Sequence, residues 1–306
     1  MLKEKTTPKR LIIEDQTFKF LRTRVYDPVS IYSSRDAFLR IGKHDLIRKE
    51  LQIHRQLLAH GFPIPEVLRE GEIDGQYFYI EKSVGTSLLT YLFSEDYKKY
   101  GNISNRNFST FLSLTRQFAE AQLSTATTKK HDKDFYCGIY MNYILDDFPQ
   151  FKDELIEAFN KITKRVSAFP VVLTHGDLNP HNILPKGIID FGYVFNGYAG
   201  YDLVGNIYQI YLFPKEGNYE SIRPYGFTKK QFDTYFKAMD NIYSGNGYPE
   251  LSEYQDDFML AKTIWAAARI IGKPKIQKWR FSLLEKITLD YLDSKPIIET
   301  VKKFPS

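Results

Sequence analysis

The chain has 306 residues, of which 43% are hydrophobic and 26% charged, which is typical of a globular protein large enough for two lobes. The net charge of +5 is mild and its basic residues are scattered, so nucleic-acid binding is not expected. No apolar run reaches the ~20 residues of a membrane span, and the charged start does not resemble a signal peptide. We therefore expect a cytoplasmic protein with no membrane partner. The single cysteine, Cys137, excludes an internal disulfide and is expected to be buried.

The first part of the chain shows the period-two alternation of strands. Three stretches between residues 11 and 41 alternate in this way, and the clearest is 37–41. No glycine precedes Gly42, although a backbone cradle for phosphate usually uses glycine. A helix should follow, with Asp45 as its N-cap and Gly61 as its end.

The inner face of this helix carries one charge. The apolar stripe with helical spacing consists of Leu46, Glu50, Ile53 and Leu57. A buried carboxylate is costly unless it is paired, and Arg40 on the preceding strand is the expected partner of Glu50. In the alternative, Glu50 is exposed and Arg40 pairs elsewhere.

The pattern then changes from strands to helices. Residues 76–81 predict the last strand of a first lobe, and 82–85 predict a hinge. A helix capped by Asn107 should follow, and another should occupy about 151–166. Three further helical patterns lie near 228–243, 252–271 and 276–293.

The most informative stretch is 175–182, which reads His-Gly-Asp-Leu-Asn-Pro-His-Asn and is followed by Asp-Phe-Gly at 190–192. The apolar run 171–173 predicts a short buried strand leading into it. Pro-Lys-Gly at 185–187 separates two apolar triplets and predicts a hairpin turn.

This hairpin would bring two oxygen-bearing side chains together. With a three-residue turn, Leu184 pairs with Ile188 and Asn182 lies opposite Asp190, with Cα atoms roughly 4.5 to 5.5 Å apart. A carboxamide oxygen and a carboxylate at that separation suit Mg²⁺. Asp177 lies five residues before Asn182 and should face the same place, where a general base for an attacking hydroxyl belongs.

The spacing His-x-Asp-x4-Asn followed by Asp-Phe-Gly resembles the catalytic core of small-molecule kinases of the aminoglycoside phosphotransferase and choline kinase group. The resemblance implies an α+β, protein-kinase-like two-lobed fold. Its small antiparallel-sheet N-lobe would span 1–84, and its mostly helical C-lobe 85–306, with the catalytic loop and acceptor pocket. Only about ten residues separate Gly192 from the next helical pattern, so there is no room for the long activation segment of a protein kinase.

Roles in the catalytic loop follow from the resemblance. It implies that Asp177 is the catalytic base, that His175 braces the loop, and that Asn182 and Asp190 bind Mg²⁺. It also implies that Asp202, in a Gly-x-x-x-x-Asp-Leu segment, accepts hydrogen bonds from the catalytic loop.

The resemblance also implies where the nucleotide binds. Arg40 and Glu50 resemble the family's ion pair that positions the nucleotide phosphates, with arginine in place of the lysine of many relatives. Glu81 and Ser83 lie in the segment whose backbone would bind adenine. The absence of glycine before Gly42 departs from the family pattern.

Two functions remain in view. The first is a Mg²⁺-dependent phosphotransferase that moves the γ-phosphate of ATP, or another NTP, to a hydroxyl of a small aminoglycoside-, choline- or amino-alcohol-like molecule. The alternative is a catalytically weak, nucleotide-binding regulatory protein on a kinase-like scaffold. The glycine-free start supports the alternative, whereas the presence of Asp177, Asn182 and Asp190 together opposes it. The oligomeric state is left open.

Two features bear on the acceptor, and each has a second interpretation. Glu253, Asp256 and Asp257 could attract a polycation, but acids after a Ser252 cap are also usual at a helix start. Trp265 could enclose a quaternary ammonium, or it could be packed in the core.

Overall fold

The computed structural model describes residues 8–24, 28–127, 132–215, 223–269 and 274–305. The chain divides into two compact units. The first comprises Met1–Thr86 and Leu184–Ile189, and the second comprises Ser87–Ile183 and Asp190–Ser306. A short segment of the predicted catalytic hairpin therefore groups with the first unit.

The first unit is built on a six-stranded antiparallel sheet. Its strands are β1 (Arg10–Ile13), β2 (Gln16–Thr23), β3 (Ser30–Ser33), β4 (Ala37–Gly42), β5 (Val67–Ile73) and β6 (Gln76–Lys82), in the spatial order β1-β2-β3-β4-β6-β5. The alternation between residues 11 and 41 is thus confirmed as strands. Alternate side chains of neighbouring strands, including Phe18, Tyr32 and Leu39, form a buried apolar cluster on the sheet.

One helix, α1 (His44–Ala59), belongs to this unit. The predicted cap was wrong, because Lys43 holds the N-cap position without a side-chain hydrogen bond and Asp45 lies in the first turn. Gly61 follows the helix with a φ of +78°, the left-handed conformation that favours glycine after a helix end.

The predicted inner stripe of α1 was also wrong over most of its length. Ile47, Leu51, His54 and Leu57 are the buried positions, whereas Leu46 is 36% exposed. The sequence offers two stripes displaced by one residue, and both end at Leu57. Packing against Val29, Val67 and Tyr79 selects the stripe without the charge, so Glu50 lies at its edge and is only partly buried.

The second unit is mostly helical. Its helices are α2 (Leu89–Tyr100), α3 (Asn105–Leu123), α4 (Asp132–Gly138), α5 (Met141–Asp147), α6 (Lys152–Val166), α7 (Tyr201–Tyr208), α8 (Lys229–Gly245), α9 (Gln255–Ala268), α10 (Pro274–Leu292) and α11 (Ile298–Lys303). Its strands are β7 (Val171–Thr174) and β10 (Phe195–Tyr198). The hairpin consists of β8 (Ile183–Leu184) and β9 (Gly187–Ile188), and its residues from Leu184 onward group with the first unit.

Helix starts were predicted less well than helices. Ser104, not Asn107, caps α3, and its hydroxyl accepts a hydrogen bond from the Asn107 amide at 3.3 Å. Ser252 does not cap α9, because it lies in a short 3-10 turn, Leu251–Tyr254, ahead of the helix. The sequence did not reveal α2, α4, α5 or α11, all of which are short.

Cys137 lies on α4 with an exposed side chain, so the prediction of a buried thiol was wrong. In the described part of the chain, no helix combines the length and apolar character needed to cross a membrane.

The strands β7 and β10 determine where the predicted catalytic loop begins and ends. They pair antiparallel, with Thr174 opposite Phe195 and Val171 opposite Tyr198. The Thr174 hydroxyl also donates to the Phe195 carbonyl at 2.8 Å. Residues 175–194 therefore form the connection between β7 and β10, and its two ends are adjacent because these strands pair.

Two leucines of α1 provide a test of its packing. Leu51→Ala should lower the free energy of unfolding by about 2 to 5 kcal/mol, because the residue is 2% exposed and its removal leaves a cavity. Leu46→Ala, the same change on the same helix at an exposed position, should change it by less than about 1 kcal/mol. Urea denaturation of both variants compares them, and equal losses would contradict the stripe described here.

Candidate active site

The hairpin between the catalytic loop and Asp190 has a shorter turn than predicted. Pro185 and Lys186 form the turn, and Gly187 belongs to β9. The predicted three-residue turn was therefore wrong, and so was the pairing derived from it. A two-residue turn shifts the register by one position, so Asn182 and Asp190 flank the open end of the hairpin without being directly opposed.

Close packing explains why a glycine stands in that strand. A Cβ atom on Gly187 would lie 2.9 Å from Val84 Cγ1 and 3.1 Å from the Pro63 carbonyl oxygen. Within the same unit, the Ile188 amide donates to the Pro63 carbonyl at 2.7 Å. The hairpin is therefore held by main-chain contacts that a larger residue at 187 would disturb.

A buried carboxylate holds the start of the catalytic loop. Asp202, at the first turn of α7, accepts hydrogen bonds from the amides of His175 at 2.7 Å and Gly176 at 2.9 Å. Gln122 on α3 donates to the same carboxylate at 2.8 Å. Burial raises the pKa of Asp202, and its hydrogen bonds and the nearby Lys262 oppose that rise. The hydrogen bonds predicted from the catalytic loop to Asp202 are present.

Gly176 is a position that only glycine fits. Its φ is +79°, and an added Cβ would lie 2.3 Å from the Tyr193 carbonyl oxygen. The Gly176 carbonyl accepts a hydrogen bond from Lys262 at 2.8 Å. The glycine of the His-Gly-Asp sequence therefore lets the backbone at residue 176 lie close to the backbone at Tyr193.

His175 supports the loop through its ring. Its Nδ1 accepts a hydrogen bond from the Asp177 amide at 3.2 Å, and its ring centroid lies 4.3 Å from that of Phe191. This side chain is fully buried. It therefore contacts the residues on both sides of the hairpin, Asp177 before it and Phe191 after it.

The two carboxylate oxygens of Asp177 have different partners. Oδ1 accepts hydrogen bonds from Asn179 Nδ2 at 2.9 Å and from Gln209 Nε2 at 3.0 Å. Oδ2 lies 3.5 Å from a guanidinium nitrogen of Arg269. The side chain retains 19% exposure. Oδ1 is thus held by two neutral donors, whereas Oδ2 has a longer contact, at 3.5 Å, with the Arg269 guanidinium.

Asn182 has an orientation that suits a metal ligand. Its Nδ2 donates to the Asp177 carbonyl at 2.8 Å. Since a carbonyl oxygen only accepts, the amide orientation is fixed and Asn182 Oδ1 points elsewhere. Asp190 adopts a φ of +67°, a conformation that is uncommon outside glycine and often found at functional sites.

With only two oxygen ligands, these side chains suit a Mg²⁺ ion that is also bound by phosphate and water, and not a metal held by protein ligands alone. Across the described residues, no group of three or more His, Cys, Asp or Glu side chains could hold a metal ion. Magnesium usually takes one or two protein oxygen ligands and completes its shell with phosphate and water oxygens. The carboxamide of Asn182 and the carboxylate of Asp190 have the right chemistry for this mode of binding.

Aromatic rings and cations lie close to Asp177 Oδ2. The sequence gave no sign that these residues would be there. The guanidinium carbon of Arg269 lies 3.8 Å from the ring centroid of Tyr193 and 4.3 Å from that of Trp265. The Lys262 ammonium lies 3.6 Å from the Trp265 centroid, and burial lowers the pKa of Lys262 to about 8. Two of the chain's own cations therefore contact the tryptophan that was considered for a quaternary ammonium.

Two of the three acids considered for a polycationic acceptor have structural partners. Asp257 is 1% exposed and pairs with Arg165 at 2.8 Å. Asp256 accepts the backbone amides of Ile297 and Ile298, each at 3.2 Å. Glu253 lines a cavity of about 1060 Å³ that includes none of the predicted site residues.

A second cluster of charges lies in the first unit. Arg40 donates to Glu50 Oε1 at 3.0 Å, which confirms the predicted ion pair, and also to Glu81 Oε1 at 2.9 Å. Arg24 donates to both carboxylate oxygens of Glu50 at 2.9 Å, and the Tyr79 hydroxyl donates to Oε1 at 2.8 Å. Sequence spacing gave no sign of the parts played by Arg24, Tyr79 and the Glu81 side chain.

This cluster keeps Glu50 ionised. Burial by itself would raise the pKa of Glu50, but the guanidinium groups of Arg40 and Arg24 outweigh it, and the net pKa is lowered. Arg40 is 11% exposed and Glu81 5% exposed at the side chain. Arg24, Arg40, Glu50 and Glu81 therefore form a partly to fully buried network of two cations and two anions, in which each charge is compensated.

The hinge prediction concerns backbone groups. The Ser83 amide donates to the Asp36 carbonyl at 2.8 Å, and its hydroxyl donates to the Gly85 carbonyl at 3.1 Å. Adenine binding by Glu81 and Ser83 stays a prediction. Part of the glycine-free connection between β2 and β3, residues 25–27, lies outside the described residues.

The fold places the chain among proteins with a kinase-like architecture. A choline/ethanolamine kinase family protein from Mesorhizobium loti superposes with a TM-score of 0.57 and 14% identity, over 92% of this chain and 92% of that one. This similarity confirms the predicted α+β, protein-kinase-like fold, with an antiparallel-sheet first unit and a mostly helical second one.

The sequence then assigns the family. Residues 29–214 match the model of the phosphotransferase enzyme family, and the chain belongs to that family. An aminoglycoside-3'-phosphotransferase of type VIII aligns over 82% of this chain and 94% of its own, with a TM-score of 0.45 and 14% identity. An aminoglycoside phosphotransferase from Streptomyces rimosus aligns over 89% and 92%, with a TM-score of 0.41 and 12% identity. A search of curated protein sequences gave no significant match.

The network around Arg40 should be important for stability. Arg40→Ala leaves the buried carboxylate of Glu81 without its partner, so the free energy of unfolding should fall by about 3 to 5 kcal/mol. Arg55→Ala breaks an exposed pair with Glu70 and should cost less than about 1 kcal/mol. Denaturant melts of both variants without nucleotide make the comparison. A loss below about 1 kcal/mol for Arg40→Ala would mean that its charge is not needed in the network.

The lowered pKa of Glu50 predicts a pH dependence. A carboxyl group with a depressed folded-state pKa stabilises the fold above its unfolded value, here 4.5, and this contribution disappears as pH falls through the folded value. Below about pH 4.5, wild type should therefore lose stability more steeply than Glu50→Gln, which cannot titrate there. Melting temperatures measured from pH 7 to pH 3 test this, and parallel curves would contradict it.

Proposed function

We propose that this phosphotransferase moves the γ-phosphoryl group of ATP, or of another nucleoside triphosphate, to a hydroxyl group of a small molecule in the presence of Mg²⁺. The arrangement of Asp177 carries the proposal. Two neutral amides hold one of its carboxylate oxygens, and the other can meet a ligand. A protein that only bound nucleotide would have no use for a base held in this way, which argues against the regulatory alternative.

In this mechanism Asp177 acts as the general base. The acceptor hydroxyl donates a hydrogen bond to Asp177 Oδ2 and transfers its proton there as its oxygen bonds to the γ-phosphorus. The bond between that phosphorus and the bridging oxygen breaks, and ADP leaves with the electron pair. The products are a phosphate monoester and ADP, and the proton passes from Asp177 to solvent.

The loop residues give this base its position. Asn179 and Gln209 fix the rotation of the carboxylate through Oδ1. His175 accepts the Asp177 amide, and Asp202 holds the two residues before it. The proton acceptor is thus held before the substrate arrives, and little reorganisation is needed during the reaction.

Asn182 and Asp190 would bind the magnesium ion, which, when present, neutralises the charge on the transferring phosphate. Asn182 is prepared for this role because its amide nitrogen is already engaged by the Asp177 carbonyl. The same hydrogen bond couples the metal ligand to the backbone of the base. A displacement of Asn182 would therefore shift the backbone of Asp177, and the reverse also holds.

In the first unit, we assign phosphate binding to Arg40 and adenine binding to the segment with Glu81 and Ser83. Glu50 and Glu81 hold the Arg40 guanidinium through three of its nitrogen atoms. A guanidinium has five N–H donors, so Arg40 retains donors for a phosphate oxygen. This side chain could supply part of the charge that a glycine-rich loop would otherwise handle through its amides.

Asp177→Asn should lower turnover by about 10² to 10⁴-fold, because the amide cannot accept the proton. The asparagine keeps the size of the carboxylate and the two hydrogen bonds at Oδ1, and it loses only the ion pair with Arg269, so Mg-ATP should bind nearly as in wild type. ADP release is measured with aminoglycosides, choline, ethanolamine, sugars and hydroxy acids as acceptors. Turnover within about tenfold of wild type, a barrier change below ~1.4 kcal/mol, would rule out Asp177 as the base.

Asp190→Asn provides the matched control, since the same chemical change is made at the proposed metal ligand. Asparagine tolerates the left-handed backbone of this position, so the substitution tests charge and not strain. Calorimetry should show weaker Mg-ATP binding for this variant and nearly unchanged binding for Asp177→Asn. The reverse pattern would exchange the roles assigned to the two aspartates.

A further inference from the structure

The Oδ2 atom of Asp177, which accepts neither of the two amide hydrogen bonds, lies beside a fixed cation, and this bears on the acceptor. If Asp177 is the base, as proposed above, the acceptor hydroxyl must approach Oδ2, because two donors already engage Oδ1. The nearest described charge to Oδ2 is the Arg269 guanidinium, at 3.5 Å. Groups on the acceptor next to the reacting hydroxyl would therefore contact Arg269.

Arg269 is held in place by the residues around it. Its guanidinium carbon lies within 4.3 Å of the centroids of two rings, Tyr193 and Trp265. Its side chain is 24% exposed, which leaves part of the guanidinium open to a ligand. Stacking of this kind leaves the edge of the guanidinium available for a planar anion such as a carboxylate.

The surroundings strengthen the positive character of this side of the site. Lys262 is fully buried next to Trp265. Arg280 is also buried and donates to the carbonyls of Ala266 and Leu212, and its pKa is lowered to about 9 by burial and by Arg269. The carboxylates that act on these cations are Asp177 and Asp202. Among the described residues around Arg269, cations therefore outnumber the carboxylates that a polycation would need.

The second feature that bears on the acceptor is the Oε1 atom of Gln209, which lacks a hydrogen-bond donor within the described part of the chain. Gln209 Nε2 donates to the Asp177 carboxylate, which fixes its amide so that Oε1 is the free end. Gln209 Oε1 is buried and has no hydrogen-bond partner among the described residues. Such an atom is costly unless a water or a ligand satisfies it, and a hydroxyl of a bound acceptor is one such group.

We infer that the acceptor is a polyhydroxylated acid. One hydroxyl faces Asp177 Oδ2, a neighbouring hydroxyl donates to Gln209 Oε1, and the carboxylate or phosphate of the acceptor pairs with Arg269. An ammonium group in the same place would meet a like charge that stacking prevents from moving away. Aminoglycosides, choline and simple amino alcohols are disfavoured for the same reason.

Two matched series of acceptors test this inference by kinetics. The three-carbon series is glycerate, glycerol and 3-amino-1,2-propanediol, and the six-carbon series is gluconate, glucitol and glucamine. Within each series only the charge of one end changes. Wild type should use the acid with a kcat/KM at least tenfold above the neutral compound, and should use the amine least.

Arg269→Gln should remove this preference mainly through KM, lowering kcat/KM for the acid at least tenfold with less effect on the neutral compound. Arg269→Lys should recover part of it, because the charge is kept but the planar fork is lost. Arg116→Gln, the same change at an exposed position on α3, controls for net charge and should leave the preference intact. A preference for the amine or the neutral compound in wild type would overturn the inference.

A binding measurement makes the test independent of turnover. The chain has two tryptophans, Trp265 and Trp279, so Trp279→Phe leaves the one that contacts Arg269 as the only reporter. Gluconate without nucleotide should change its fluorescence saturably, compared with chloride at equal ionic strength. Glucamine should not, and Arg269→Gln should abolish the response. If Trp279→Phe does not fold, the difference between wild type and Arg269→Gln gives the same information.

The outcomes separate this inference from the proposed function. Anion binding that depends on Arg269 supports the inference even if no acceptor is phosphorylated. Absence of any Asp177-dependent ADP release across both series counts against the proposed function. No fluorescence response to either acid, or a response that survives Arg269→Gln, overturns the inference even if a neutral acceptor is phosphorylated.

Discussion

The arrangement of the second unit's site depends on one buried carboxylate. Asp202 accepts the amides of His175 and Gly176 and the side chain of Gln122, so three donors from two parts of the chain converge on it. A charged group at such a position is stable only when hydrogen bonds replace the water that it has lost. The loop that carries Asp177 therefore cannot move without leaving Asp202 unsatisfied.

The loop held by Asp202 carries Asp177, the residue that we propose as the general base. Because Asn179 and Gln209 donate to one carboxylate oxygen, the other is the one that we propose takes the proton of the acceptor hydroxyl. Arg269 lies beside that second oxygen. We infer that its charge restricts the kind of molecule that can bind there. One pair of side chains thus connects the reaction with the choice of acceptor.

The first unit uses a similar principle at Arg40. Its guanidinium lies between the carboxylates of Glu50 and Glu81, and Arg24 compensates the extra negative charge. Such a network fixes the direction of Arg40 because the carboxylate of Glu81, which is 5% exposed, would lose its cationic partner if Arg40 turned away. A lysine at this position could not make the same set of hydrogen bonds, since it lacks the planar fork.

The sequence by itself determined the features encoded over short distances: the alternation of the first strands, several helices, the strand into the catalytic loop, and the spacing of Asp177, Asn182 and Asp190. Periodicity and motif spacing report on neighbours along the chain. Only the tertiary structure decided which of two adjacent stripes of α1 is buried and which partners meet from far apart. Gln209 and Arg269 lie 32 and 92 residues beyond Asp177, as their numbers in the sequence show. Long-range packing brings such residues together, and no local pattern records it.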